Sequence, residues 1–115
     1  MVKVTFEQIN NRLSLRLEGH AGQAEIGKDI VCASCSILAY TVAQFVREAD
    51  NAGYLKTPPE IKLVSGDTVI SCQPIDELLI DMQNMFFFAE KGYQLLAQSY
   101  PQYVELKQFD QPDEA

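Results

Sequence analysis

The chain has few cations, one histidine, an odd number of cysteines and no long apolar run. Nine Lys and Arg stand against 16 Asp and Glu in 115 residues, a formal charge of −7. That balance does not suit a basic face for a phosphate backbone, so direct nucleic-acid binding is not expected. Basic polypeptides remain suitable partners, because opposite charge steers association. No run approaches the roughly 18 apolar residues of a membrane span, and Met1-Val2-Lys3-Val4 alternates where a secretion signal would be continuous. Both features predict a soluble, cytoplasmic protein with no membrane partner. Three cysteines without a secretion signal argue against a disulfide framework and for reduced thiols. There is no internal repeat or low-complexity segment, and the length suits one domain.

What the chain does have is clear periodicity. Val2, Val4 and Phe6 alternate with polar residues, Asn10-Asn11 offers turn chemistry, and Leu13, Leu15 and Leu17 alternate again. This predicts a hairpin with one apolar face. The stretch from Gly19 to Asp29 has no period and reads as a mobile loop. From Ile30 to about Asp50, Val31, Cys35, Leu38, Val42, Phe45 and Ala49 follow helical spacing, with Asp29 at the N-cap position and Asn51-Ala52-Gly53 as a stop. A second hairpin is expected over Glu60 to Gln73 around Ser65-Gly66-Asp67, then a second helix from Ile75 to about Ser99, then a short strand over Tyr103 to Lys107.

The expected fold class is therefore α+β: two layers, order ββαββαβ, a mostly antiparallel sheet with two long helices on one face. Residues 1–109 form a single domain and 110–115 an acidic flexible tail. Helix two carries Phe86-Phe87-Phe88, wider than one buried stripe requires. It serves either as core or as a homodimer face.

The one histidine, His20, ends the second strand, and Cys32 falls in the first turn of helix one. A first-turn cysteine feels the positive end of the helix dipole, and a neighbouring imidazolium would lower its pKa further. Thiolate, imidazole and nearby N–H groups would together attack a carbonyl, protonate a leaving amine and hold an oxyanion. The plainer alternative is a core cysteine and a structural histidine. Asp29 has two readings: it caps the helix through the N–H of Val31 or Cys32, or it turns to His20 and fixes its tautomer. Cys32-Ala33-Ser34-Cys35 is also a C-x-x-C at a helix start, although the preceding hairpin and long loop are not the βαβ setting of a thioredoxin-like site. Zinc on Cys32, Cys35, Cys72 and His20 lacks a second closely spaced ligand pair. No metal and no cofactor is expected, and Cys35 and Cys72 read as core.

Taken together, Gly19-His20-Ala21 and Gly27-Lys28-Asp29-Ile30-Val31-Cys32-Ala33-Ser34-Cys35-Ser36 resemble the ribosomal-processing cysteine protease family, often called Prp. In that family a G-H-A segment precedes G-x-D-I-V-C-A-A-x-S across a flexible loop. Here Ser34 replaces an alanine and Cys35 occupies a variable position. The resemblance implies a cysteine endopeptidase that removes the N-terminal extension of a large-subunit ribosomal protein, with Cys32 as nucleophile and His20 as general base and acid. It places Asp29, Ser36 and Gly19 in supporting positions and implies a homodimer. Gly22 and Gly27 would let the loop close over the peptide as a lid. The alternatives are a non-catalytic ribosome-associated assembly factor and a C-x-x-C thiol oxidoreductase.

Overall fold

The computed structural model describes residues 1–22 and 29–109. Strands β1 (Val2–Ile9) and β2 (Arg12–Glu18) form the first hairpin. Ile9 pairs with Arg12, leaving a two-residue turn in which Asn10 (φ 50°) and Asn11 (φ 66°) are both left-handed. Asparagine tolerates that region, which matches the turn to the twist of the strands. Helix α1 (Ile30–Asn51) follows, then β3 (Glu60–Val64) and β4 (Asp67–Cys72), helix α2 (Leu79–Ser99) and β5 (Val104–Lys107).

The five strands lie in the order β3-β4-β2-β1-β5. All pairings are antiparallel except β1 with β5, which is parallel and sets Val2 opposite Val104. Alternate strand residues share a face. Val2, Val4, Phe6, Leu13, Leu15, Leu17, Ile70, Cys72 and Val104 therefore point one way. They join Val31, Cys35, Ala39, Val42, Ala43 and Val46 of α1 and Met82, Phe86 and Tyr93 of α2 in one core. Each fully buried aliphatic or aromatic side chain there contributes roughly 1.5–3 kcal/mol. Lys3, Glu7, Arg16 and Glu18, on the opposite face, are exposed. The two-layer α+β architecture is the one expected from the periodicity.

The second helix differs from expectation at its start. Residues Asp76–Leu78 form a 3₁₀ turn, and α2 proper starts at Leu79 rather than Ile75. Ile75 is extended after Pro74 and offers no side-chain cap, so the first turn tightens through the bond from the Leu78 N–H to the Ile75 carbonyl (3.0 Å). Within Phe86-Phe87-Phe88, Phe86 is buried and Phe88 is 74% exposed. Steps of 100° cannot turn three successive residues to one core. Helix α1 is also long and apolar enough, by length and composition, to cross a bilayer, although no unbroken apolar run suggests it. Its stripe from Val31 to Ala49 packs into the core. The expected acidic tail at 110–115 lies outside the described residues.

Candidate active site

The site begins with the start of α1. Asp29 is extended (φ −82°, ψ 102°), and its Oδ1 accepts the N–H groups of Val31 and Cys32, each at 3.0 Å. The capping role is thus realised, and both N–H groups are committed to it. Asp29 is 6% exposed, and Cys32, three residues on, is half-buried.

The second component comes from the end of β2. Gly19 has φ +90°, and a Cβ on it would lie 2.5 Å from the Met1 carbonyl oxygen, so only glycine fits where the chain leaves the strand so close to β1. Its N–H donates to the Gly66 carbonyl at 2.9 Å. The Met1 nitrogen donates to the His20 carbonyl oxygen, tying the next residue to the start of the chain. Ala21 then turns inward, 3% exposed, and its N–H donates to Cys32 Sγ at 3.2 Å.

His20 and Cys32 line one cavity of about 80 Å³ together with Gly19 and Ser36. Its other walls are Ala39 and Tyr40 of α1 and the residues from Val64 to Thr68 around the β3–β4 turn. Among the described residues no hydrogen bond joins the imidazole to the thiol; the exposed ring of His20 lies against Gly66 instead. Gly22 is left-handed (φ +73°), and among the described residues nothing lies within 4 Å of its Cβ position. Gly27, the other glycine of the expected lid, lies outside the described residues, and with it most of the loop.

The three cysteines have different surroundings. Cys35, one turn beyond Cys32, is buried, and burial pushes its thiol up to about 12, assisted by the charges of Cys32 and Asp29. Burial also pushes Cys72 up to about 12, against a lowering influence from Arg12. The Tyr93 hydroxyl is raised by burial and then by Cys35, and it donates to the Cys35 carbonyl at 2.8 Å. Both members of the C-x-x-C pair line the cavity, Cys32 half-buried and Cys35 buried. Cys72 faces the core from β4, and among the described residues no three His, Cys, Asp or Glu could hold a metal ion. The set Cys32, Cys35, Cys72 and His20 is not assembled.

Sequence reasoning missed the Ala21 N–H and the β3–β4 turn as parts of this site. The first is a main-chain group within the Gly-His-Ala segment, which carried a signal only through its neighbour His20. The second was legible as a turn at Ser65-Gly66-Asp67, with nothing local to show that it meets the end of β2.

The sequence and the fold both have known counterparts. The family model described as cysteine protease Prp matches residues 1–105. The essential ribosomal processing protease Prp from S. aureus, solved with a covalently linked product peptide, superposes with a TM-score of 0.69 at 19% identity, over 96% of this chain and 100% of that one. The same protease with a substrate peptide gives 0.65 at 18% identity and the same coverage. SMU.848 from Streptococcus mutans is 27% identical with a TM-score of 0.62, over 93% of this chain and 92% of that one. No curated protein sequence matches the chain.

Proposed function

The chain belongs to the cysteine protease Prp family, and from that premise we propose that it is an endopeptidase removing the N-terminal extension of a large-subunit ribosomal protein, with Cys32 as nucleophile and His20 as general base and acid. The observation that carries this reading is the shared cavity: His20 and Cys32 line it, and a main-chain N–H already points at the sulfur. The S. aureus relative solved with a substrate peptide supports a peptide as the ligand.

In this mechanism the Cys32 thiolate adds to the scissile carbonyl carbon. The C–N bond breaks as the His20 imidazolium gives its proton to the leaving amine, and a thioester remains. Water then adds to the thioester with its proton passing to His20, and the acid leaves as the C–S bond breaks. Asp29 already holds the Val31 and Cys32 N–H groups, so the Ala21 N–H, 3.2 Å from the sulfur, is the donor nearest to hand for the oxyanion. Asp29 acts by fixing the helix start that presents Cys32. Gly19 supports by allowing the strand end that places His20, and Ser36 by lining the cavity one turn along α1 from Cys32.

The remaining parts of the reading concern partners. A −7 chain suits a basic ribosomal polypeptide and not nucleic acid. A second copy of the chain covers the apolar groove of Leu38, Phe45, Met85 and Phe88 between the helices, making a cytoplasmic homodimer. Mass spectrometry of the extended ribosomal protein after incubation with this protein tests the function. One N-terminal truncation is expected with wild type and none with Cys32→Ser. Binding without truncation would leave an assembly factor, and a redox-titrating Cys32–Cys35 disulfide an oxidoreductase.

A further inference from the structure

The turn between β3 and β4 borders the same cleft, because β4 pairs directly with β2 and sets Asp67 opposite Glu18. Gly66, in that turn, has φ +77°, and a Cβ built on it would lie 2.7 Å from His20 Nε2 and 3.1 Å from Cε1. No real side chain approaches a ring that closely, so the imidazole packs on a bare Cα. The Gly66 carbonyl also accepts the N–H of Gly19 at 2.9 Å, fixing the turn to the residue just before His20. One glycine therefore holds both the main chain leading into His20 and the edge of its ring.

We propose that Gly66 is a positioning residue for His20, a seat whose lack of a side chain keeps the imidazole in the cleft it shares with Cys32. The contact stands on geometry alone; its consequence for cleavage rests on the protease reading above. The ring is the far end of an exposed side chain, so an added Cβ would move the ring and leave the fold in place. The loss should therefore appear in chemistry beyond the cost of backbone strain. Gly53 separates the two effects: its φ is +79°, but among the described residues nothing lies within 4 Å of its Cβ position. An alanine there meets the same left-handed strain and touches nothing.

His20 is the chain's one histidine, so its ring resonances are unambiguous in an NMR spectrum. In wild type, NOEs between the Gly66 Hα protons and the His20 ring are expected. Gly66→Ala should move the ring shifts and lower kcat/KM by about tenfold or more. It should also bring the pH dependence of Cys32 alkylation toward that of His20→Ala. Gly53→Ala should lose comparable thermal stability and keep kcat/KM within about twofold. Gly66→Asn guards against a misfolded variant, because asparagine tolerates positive φ but still adds the Cβ; it should repeat the Gly66→Ala result. Wild-type cleavage by folded Gly66→Ala or Gly66→Asn overturns the proposal, as does a missing NOE in wild type. If the wild-type chain cleaves nothing, the protease reading falls on its own. The NOE and alkylation measurements then still decide whether Gly66 holds His20 beside Cys32: unmoved ring shifts with an unchanged alkylation profile in Gly66→Ala reject it.

Discussion

The main-chain N–H of Ala21 donates to the Cys32 sulfur across 3.2 Å, so the segment that carries His20 is joined to helix α1 at the thiol itself. A donor in that position stabilises negative charge on the sulfur. The donor belongs to the backbone, so replacing the His20 side chain does not remove it.

Cys32→Ser and Cys32→Ala are accordingly expected to abolish cleavage while leaving peptide binding and the fold intact, since the cavity walls remain. Cys35→Ala should keep most of the activity. Single-turnover assays with peptide-binding titrations check both; equal inactivation by Cys35→Ala would move the chemistry to the thiol pair.

Asp29 serves two N–H groups with one oxygen, and Asp29→Ala should destabilise the protein by about 1 kcal/mol through loss of the cap. Asp29→Asn keeps an acceptor and should melt close to wild type. Thermal denaturation of the two variants side by side decides the point: equal losses would mean that the charge, and not the cap, is what matters.

Alkaline pH should loosen the fold through the two buried thiols. Both are pushed from 9.0 up to about 12, so the folded state favours the protonated thiol more than the unfolded state does. Their contribution is complete below about pH 9 and is lost as pH climbs toward 12. The slope reaches at most about 1.4 kcal/mol per pH unit for each thiol. Tyr93 shifts in the same direction. Melting curves taken through this window should fall steeply for wild type and less so for Cys72→Ala. At neutral pH, iodoacetamide should label Cys32 in the native protein and reach Cys35 and Cys72 only on unfolding.

The C-terminal end of the described chain is part of the core. The Phe109 ring lies 5.1 Å from the rings of both Phe6 and Phe87, and its N–H donates at 2.8 Å to the buried Glu90 carboxylate. Phe109→Ala should cost about 3–5 kcal/mol by opening a cavity. Glu90→Ala should cost about 1–3 kcal/mol by leaving a buried donor unpaired. Urea denaturation measures both; a Phe109→Ala loss below 1 kcal/mol, taken as roughly the effect of a surface change, would remove the ring from the core.

Local features were legible in the sequence where local chemistry decides them. The Asn10-Asn11 turn, the Asp29 cap and the stripe from Val31 to Ala49 each follow from residues within a few positions of one another. Features that join distant segments were not. Nothing near Gly66 announces an imidazole from β2, and nothing near Phe109 announces Glu90 and Phe6, because those contacts exist only once the sheet order is set. The start of α2 was misplaced because helical spacing continues through a 3₁₀ turn that differs in hydrogen bonding rather than in residue type. Within the site, residue chemistry pointed to His20 and Cys32, but main-chain donors such as the Ala21 N–H carry no side-chain signature.

The parallel pairing of β1 with β5 has a consequence for biosynthesis. Residues Val2–Thr5 find their partners in Val104–Lys107, almost the full length of the described chain away. A polypeptide made from its N-terminus onward can close the first hairpin early, yet β1 keeps an open edge of unpaired N–H and C=O groups until β5 has been synthesised. During that interval the nascent chain presents Val2 and Val4 on a strand ready to pair with a neighbour. Slow translation after α2, or loss of the last strand, would therefore favour aggregation even though every residue of the cleft is already made.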